Sequence, residues 1–65
     1  PRIELIGNGQ LQMENHRGIV SYREDEVVVS GGKLLVRIQG SELELQSMSA
    51  NALLVAGVIR SVQLE

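Results

Sequence analysis

Apolar and polar residues alternate along most of this 65-residue chain, and that alternation limits what it can fold into. Segments 10–14 and 42–46 each place leucine or methionine at every second position, between glutamine and glutamate. A period of two gives a strand one apolar face and one polar face. No segment sustains the spacing of an amphipathic helix. We therefore predict an all-β, antiparallel fold.

Turn signals divide the chain into about seven to eight short strands. Asn8-Gly9 and Gly31-Gly32 are pairs that accept positive φ and favour tight hairpins. Gly40-Ser41 predicts a further turn, and Gly57 predicts a bend or bulge in the last apolar run. Because residues 1–65 suffice for only one domain, we predict a single-domain antiparallel meander that closes into a small barrel or sandwich.

The predicted core consists of the residues in the apolar phase of each strand. The run Val27-Val28-Val29 is β-branched throughout, so we expect it to be covered on both faces. Taking the apolar positions of every strand gives the whole expected core. It is Leu5, Leu11, Met13, Val20, Val28, Leu34, Val36, Ile38, Leu43, Leu45, Val55, Val58 and Val62.

The chain contains no cysteine and a single histidine, His16. Disulfides and thiolate metal sites are therefore excluded, and one histidine does not make a zinc site. A domain of this size is marginally stable without such staples. The composition favours self-association or docking on another protein, so we expect a homo-oligomer or a complex with a protein partner, and no cofactor.

Charge and hydropathy argue against the nucleic-acid-binding and membrane-spanning classes. Eight acidic residues outnumber six basic ones, and Tyr22 is the sole aromatic residue, whereas nucleic-acid binders carry basic stripes and stacking aromatics. The longest apolar run, residues 52–59, is too short to span a bilayer, and we expect no signal peptide. We expect no nucleic-acid ligand and no transmembrane segment. Because the chain begins at Pro1, we expect it to be the trimmed core of a longer protein.

One short segment interrupts the alternation, and we call it the polar knot: Glu14, Asn15, His16, Arg17 and Gly18. To act as a general base, His16 would need an orienting group and donors for developing charge, and the sequence offers neither. Asparagine and glycine instead suit a turn. We predict that the polar knot is a structural corner or a contact surface, and that no residue is catalytic, cofactor-binding or metal-binding.

Three other features leave alternatives open. Arg37 and Arg60 interrupt apolar strands, so each either pairs with a carboxylate across the sheet or marks an inter-subunit contact. The glutamates of segment 42–46 fit the polar face of a strand better than a catalytic carboxylate pair. Residues 6–15 align faintly with residues 38–47 at a spacing of 32, a match that alternation alone can generate.

Several short segments, taken in order, resemble the YabP/YqfC family of sporulation proteins. The likeness covers nearly the whole chain and is closest to the YqfC-like branch, where the polar knot and the Ile-x-Gly turn are familiar. The segments are Pro1-Arg2-Ile3, Leu5-Ile6-Gly7, the polar knot with Ile19, Leu35-Val36-Arg37-Ile38-Gln39-Gly40, and Leu53-Leu54-Val55-Ala56-Gly57-Val58-Ile59 running into Ser61-Val62.

The resemblance implies a non-enzymatic protein of endospore-forming bacteria that acts through protein–protein contacts in spore envelope assembly. It implies a partner at the membrane around the forespore, a membrane protein encoded nearby. It also implies a cytoplasmic location in the sporulating cell, in the mother cell and peripheral to the forespore membrane. The family offers no catalytic residues to carry over.

Two other classes remain as alternatives to this adaptor role. A self-assembling structural β module would pair exposed strand edges into a ring or filament. A small enzyme centred on His16 is disfavoured, because the rest of a catalytic site is missing from the sequence.

Overall fold

The computed structural model describes residues 1–7 and 9–65, which form one antiparallel sheet of six strands. Its strand order is β1-β2-β6-β5-β4-β3, and no helix occurs among the described residues. The predicted all-β antiparallel class is therefore confirmed, whereas Asn8 of the predicted Asn8-Gly9 turn lies outside the described residues. The strands are β1 (Arg2–Ile6), β2 (Gln10–Glu14), β3 (Ile19–Tyr22), β4 (Glu26–Ser30), β5 (Leu35–Met48) and β6 (Ala52–Leu64).

The predicted count of seven to eight strands is wrong, because two glycine positions that suggested interruptions lie inside long strands. Strands β5 and β6 have 14 and 13 residues and form one bent hairpin. At Gly40 a Cβ atom would overlap the carbonyl oxygen of Val58, and at Gly57 it would lie 2.5 Å from the carbonyl oxygen of Glu42. These glycines therefore permit close backbone approach within the hairpin.

The sheet is not closed into a barrel, which corrects the second part of the fold prediction. Among the described residues, β1 pairs only with β2 and β3 pairs only with β4, so the two edge strands do not pair with each other. The order also departs from a simple meander, because β6 lies between β2 and β5. The polar knot therefore carries the chain from one half of the sheet to the opposite edge.

The bend in β5 and β6 lets both halves of the sheet contribute to one core. The buried cluster is Leu11, Met13, Val27, Val29, Val36, Ile38, Leu43, Leu53 and Val55. Val28 is also buried, so the valine run of β4 is covered on both faces as expected. Leu34, Leu45 and Val62 pack against the cluster as partly buried residues.

Three of the predicted core residues are exposed, namely Leu5 (60%), Val20 (61%) and Val58 (50%). A register shift explains the exposure of Val20. In β3 the register shifts between Ile19 and Ser21, which leaves Val20 outside the ladder while Ile19 packs on the core. An extra residue in one strand moves the following side chains to the other face.

Val58 is exposed because the phase of β6 does not change before it. The alternation that buries Val55 continues through Gly57 to Ile59, so Ile59 packs against the core and Val58 faces outward. The extra residue of β6, Arg60, follows only after Ile59, because Ile59 pairs with Gly40 and Ser61 pairs with Gln39. Leu5 has a different reason for its exposure, since it lies on an edge strand that has a neighbour on one side only.

The pairing pattern of the sheet occurs twice, which gives the molecule an internal two-fold repeat. Hairpin β1–β2 lies beside the start of β6 as hairpin β3–β4 lies beside the start of β5. The residue numbers of β4 are those of β2 plus 16, and the numbers of the first residues of β5 are those of β6 minus 17. With these offsets, the β2–β6 pairs become the β4–β5 pairs. Thus Leu11↔Val55 and Met13↔Leu53 correspond to Val27↔Ile38 and Val29↔Val36.

Hydrogen bonds at the two bends follow the same correspondence. The Gly57 N–H donates to the Gly9 carbonyl at 2.9 Å, and the Gly40 N–H donates to the Asp25 carbonyl at 3.1 Å. This repeat does not have the spacing of 32 noted in the sequence, so that alignment does not reflect the structural duplication.

Candidate contact surface

The polar knot lies at the end of the molecule where three connections meet. Asn15 and Gly18 adopt positive φ angles of 62° and 105°, conformations that suit asparagine and glycine. The Asn15 N–H donates to the Asn51 carbonyl at 2.5 Å, in the turn between β5 and β6. The Arg17 N–H donates to the Ser30 carbonyl at 2.7 Å, at the end of β4. Backbone bonds thus tie the knot to both neighbouring connections.

His16 is the buried centre of the knot, with 7% of its surface exposed. The Gly18 N–H donates to Nδ1 at 3.0 Å, so Nδ1 must be the unprotonated nitrogen. Nε2 then carries the proton and donates it to the Ser49 carbonyl at 2.9 Å. Both ring nitrogens are therefore occupied by backbone groups, and no lone pair is free for a substrate proton or a metal ion.

The remaining side chains of the knot point to a surface role. Asn15 and Arg17 are exposed. The Glu14 carboxylate lies 3.8 Å from the Arg2 guanidinium in an exposed ion pair, and such a pair contributes little stability. The structure thus brings the five predicted residues together, but it does not place the Glu14 carboxylate as a hydrogen-bond partner of His16.

An open cleft runs between the knot and the β5–β6 turn, and we call it the knot cleft. Its lining is Asn15, His16, Arg17, Gly18, Met48, Ser49, Ala50 and Asn51. Met48 is 50% exposed, so the cleft offers an apolar thioether beside the cation of Arg17. Four of the five residues of the polar knot lie in this lining, and nothing in the sequence indicated the β5–β6 turn opposite them, because His16 and Ser49 are 33 residues apart.

A second polar cluster lies across β4, β5 and β6 and shows what Arg37 pairs with. The Nε and Nη2 atoms of Arg37 donate to the Glu65 carboxylate at 2.9 and 3.3 Å, and its Nη1 atom lies 3.1 Å from Glu26 Oε2. The Gln39 amide donates to Glu26 at 3.0 Å and accepts a bond from the Ser61 hydroxyl at 3.2 Å. Arg37 therefore pairs with carboxylates across the sheet.

This network shifts the titration of its members. The hydrogen bond from Gln39, and next that from Arg37, hold the pKa of Glu26 below its usual value. The hydrogen bonds from Arg37 likewise lower the pKa of Glu65. The two carboxylates in turn raise the pKa of the Arg37 guanidinium.

Comparison with known proteins identifies a family. The model of the YabP family matches residues 1–65, the whole chain. The chain belongs to the YabP family. The match does not distinguish the YqfC-like branch within it, and membership suggests a sporulation-related protein. No curated protein and no solved structure shows a significant match.

In this YabP-family chain, the described residues contain no group of three or more histidine, cysteine, aspartate or glutamate side chains that could hold a metal ion. Within the same residues there is no helix with the length and apolar character needed to cross a bilayer. Large exposed apolar side chains are found on both edge strands and on the β5–β6 hairpin. They are Leu5, Ile6, Val20, Tyr22, Met48, Val58 and Leu64.

Proposed function

We propose that this YabP-family chain is a non-enzymatic module of sporulation that works through protein–protein contacts at the knot cleft. The state of His16 is the observation that supports the proposal. Its two nitrogens bond to Gly18 and Ser49, so the ring holds the cleft walls in place while Arg17 and Met48 remain exposed above it. A rigid corner that presents one cation and one apolar group suits recognition of another protein.

The partner that we propose is a membrane protein at the membrane around the forespore, on the mother-cell side, in the assembly of the spore envelope. The family resemblance supports this assignment. The chemistry of the knot cleft adds that the bound segment carries an acidic group for Arg17 and an apolar side chain for Met48. The chain would then be cytoplasmic and peripheral to that membrane.

Co-purification from sporulating cells tests the contact role. We expect the variant Arg17→Ser/Met48→Ser to lose its partner, because both side chains are exposed and their removal leaves the core intact. Arg60→Ser is the matched control, since it removes an exposed cation that lies outside the knot cleft. Equal recovery of the same partner with both variants would refute the knot cleft as the contact surface.

Localisation tests the membrane part of the proposal. A fluorescently tagged chain should collect at the membrane around the forespore and should disperse when the gene for the neighbouring membrane protein is deleted. A tagged chain with unchanged localisation in the deletion strain would contradict that partner, whereas the co-purification result would still decide the knot cleft.

Self-assembly is a second candidate function, which the two unpaired sheet edges favour. Unpaired edges present backbone donors and acceptors to other chains, and β1 and β3 also carry exposed apolar side chains. Light scattering of the purified chain distinguishes the cases, because a ring or filament gives a mass far above that of a dimer.

A further inference from the structure

The internal repeat makes β1 and β3 equivalent strands, but the described residues differ in how each edge strand is attached to the β5–β6 hairpin. Tyr22 and Leu5 occupy equivalent positions, since they pair with the equivalent residues Val27 and Leu11. The Tyr22 hydroxyl accepts a hydrogen bond from the Leu45 N–H at 2.8 Å. That bond links the edge strand β3 to the second half of β5.

The Leu5 side chain has no polar atom, so it cannot form the equivalent hydrogen bond to β6. Its side chain is 60% exposed and lines an open depression with Gly7, Gln10 and Ile59. Ile6, the next residue, is also exposed. An unpaired edge strand with exposed apolar side chains is a template for another strand.

We propose that β1 pairs antiparallel with β1 of a second copy of this chain, about a two-fold axis at Ile3. Strand β1 is complementary to itself in this register. Residues that face each other across an antiparallel pair share one side of the sheet, so Arg2 of each copy lies beside Glu4 of the other. Two opposite-charge pairs result, with Ile3 against Ile3 on the side of the core.

The other two-fold registers on β1 are less favourable. An axis at Glu4 places two carboxylates directly opposite each other, which is destabilising. An axis at Leu5 gives Arg2 no opposite charge from the second copy, so only its ion pair with Glu14 of the same chain remains. A register displaced by one residue would place the apolar side chains of one copy on the same side of the joined sheet as the polar side chains of the other. Charge complementarity therefore selects the axis at Ile3.

This pairing closes on itself and gives a dimer, because each copy uses its β1 edge once. It does not depend on the knot cleft, since Arg2 and Glu4 are not among the residues that line it. The pairing differs from a ring or filament, because it limits assembly through this edge to two chains.

Light scattering and sedimentation over a range of concentrations test the pairing, with charge reversals on exposed residues of β1. The wild-type chain should reach twice its monomer mass of 7.1 kDa as concentration rises. Arg2→Glu and Glu4→Arg should each weaken the dimer about tenfold or more, because either change creates two like-charge pairs by symmetry. Glu44→Arg is the control, as an exposed charge reversal on β5.

Two combinations separate association from folding. The double variant Arg2→Glu/Glu4→Arg should dimerise like the wild type, because both opposite-charge pairs are restored with reversed sign. A mixture of the two single variants should form heterodimers for the same reason. Circular dichroism should show the same β-sheet spectrum for all variants.

The proposal is overturned by a monomer at every concentration, by dimers insensitive to Arg2→Glu, or by failure of both combinations to restore the dimer. An effect of Glu4→Arg without an effect of Arg2→Glu would also refute the axis at Ile3. None of these results bears on partner recovery through the knot cleft, so the two proposals fail separately.

Discussion

At residue 16, an imidazole ring joins two backbone segments that lie 33 residues apart in the chain. The ring bonds to the Gly18 N–H and to the Ser49 carbonyl, so it supplies the hydrogen bonds that water would otherwise make to these two partly buried backbone groups. A buried backbone group that loses its only partner costs free energy. His16 therefore serves the shape of the knot cleft, and its removal should act through stability.

We expect His16→Ala to lower the free energy of unfolding by about 2–3 kcal/mol, because two hydrogen bonds and the buried ring are lost together. Urea denaturation followed by circular dichroism measures the change. Lys33→Ala, at an exposed position, should stay within about 0.5 kcal/mol. A histidine variant as stable as the lysine variant would contradict the structural role of the ring.

Arg37 makes stability depend on pH through Glu26 and Glu65. Both carboxyl pKa values are lowered in the folded chain, so the stabilisation is present above the unfolded carboxyl pKa of about 4.3. It is lost as the pH falls through the lower folded values. We expect the difference in urea midpoint between the wild type and Arg37→Gln to be largest near neutral pH and to shrink in acid. A difference independent of pH would contradict the network.

Among the strands, β2 and β4 were predictable because regular alternation or a β-branched run needs no knowledge of distant partners. Leu11, Met13 and Val28 are buried as predicted. The β5–β6 hairpin was not predictable in the same way, because glycine marks both a turn and a close backbone approach. Bulges in the hairpin also change which residues of a strand face the core. The alternation within one strand cannot reveal that it has an extra residue compared with the strand it pairs with.

The register of the hairpin is tested by two valines of the predicted core. Val36 is fully buried, so Val36→Ala should cost about 1–3 kcal/mol of unfolding free energy. Val58 is half exposed, so Val58→Ala should cost less than about 0.5 kcal/mol. Denaturation of both variants under one set of conditions measures the contrast. Similar costs at the two positions would show that the phase of β6 is misassigned.

Close approach at the bend is tested by Gly40→Ala. The added Cβ would overlap the Val58 carbonyl oxygen, and a backbone atom in a paired strand cannot move away easily. We expect a loss of about 3 kcal/mol or more, or failure to fold. Ser41→Ala, the next residue of the same strand, serves as the control and should have a small effect. A stable Gly40→Ala chain would contradict the bent hairpin.

On the scale of the whole molecule, the connections that follow β2 and β4 are equivalent in the internal repeat, and only the first of them contains a histidine. The sequence located that polar knot because it interrupts the alternation. It could not show Met48 and the β5–β6 turn as the opposite wall, since that contact depends on the strand order of the completed sheet.

In the proposed function, this YabP-family chain acts in sporulation through contacts at the knot cleft and not through chemistry at His16. The most direct measurement is the count of heat-resistant spores from a strain whose only copy of the chain is Arg17→Ser/Met48→Ser, present at wild-type abundance. We expect the count to fall to that of a deletion strain, while Arg60→Ser retains the wild-type count. A wild-type spore count from the knot-cleft variant would contradict the claim.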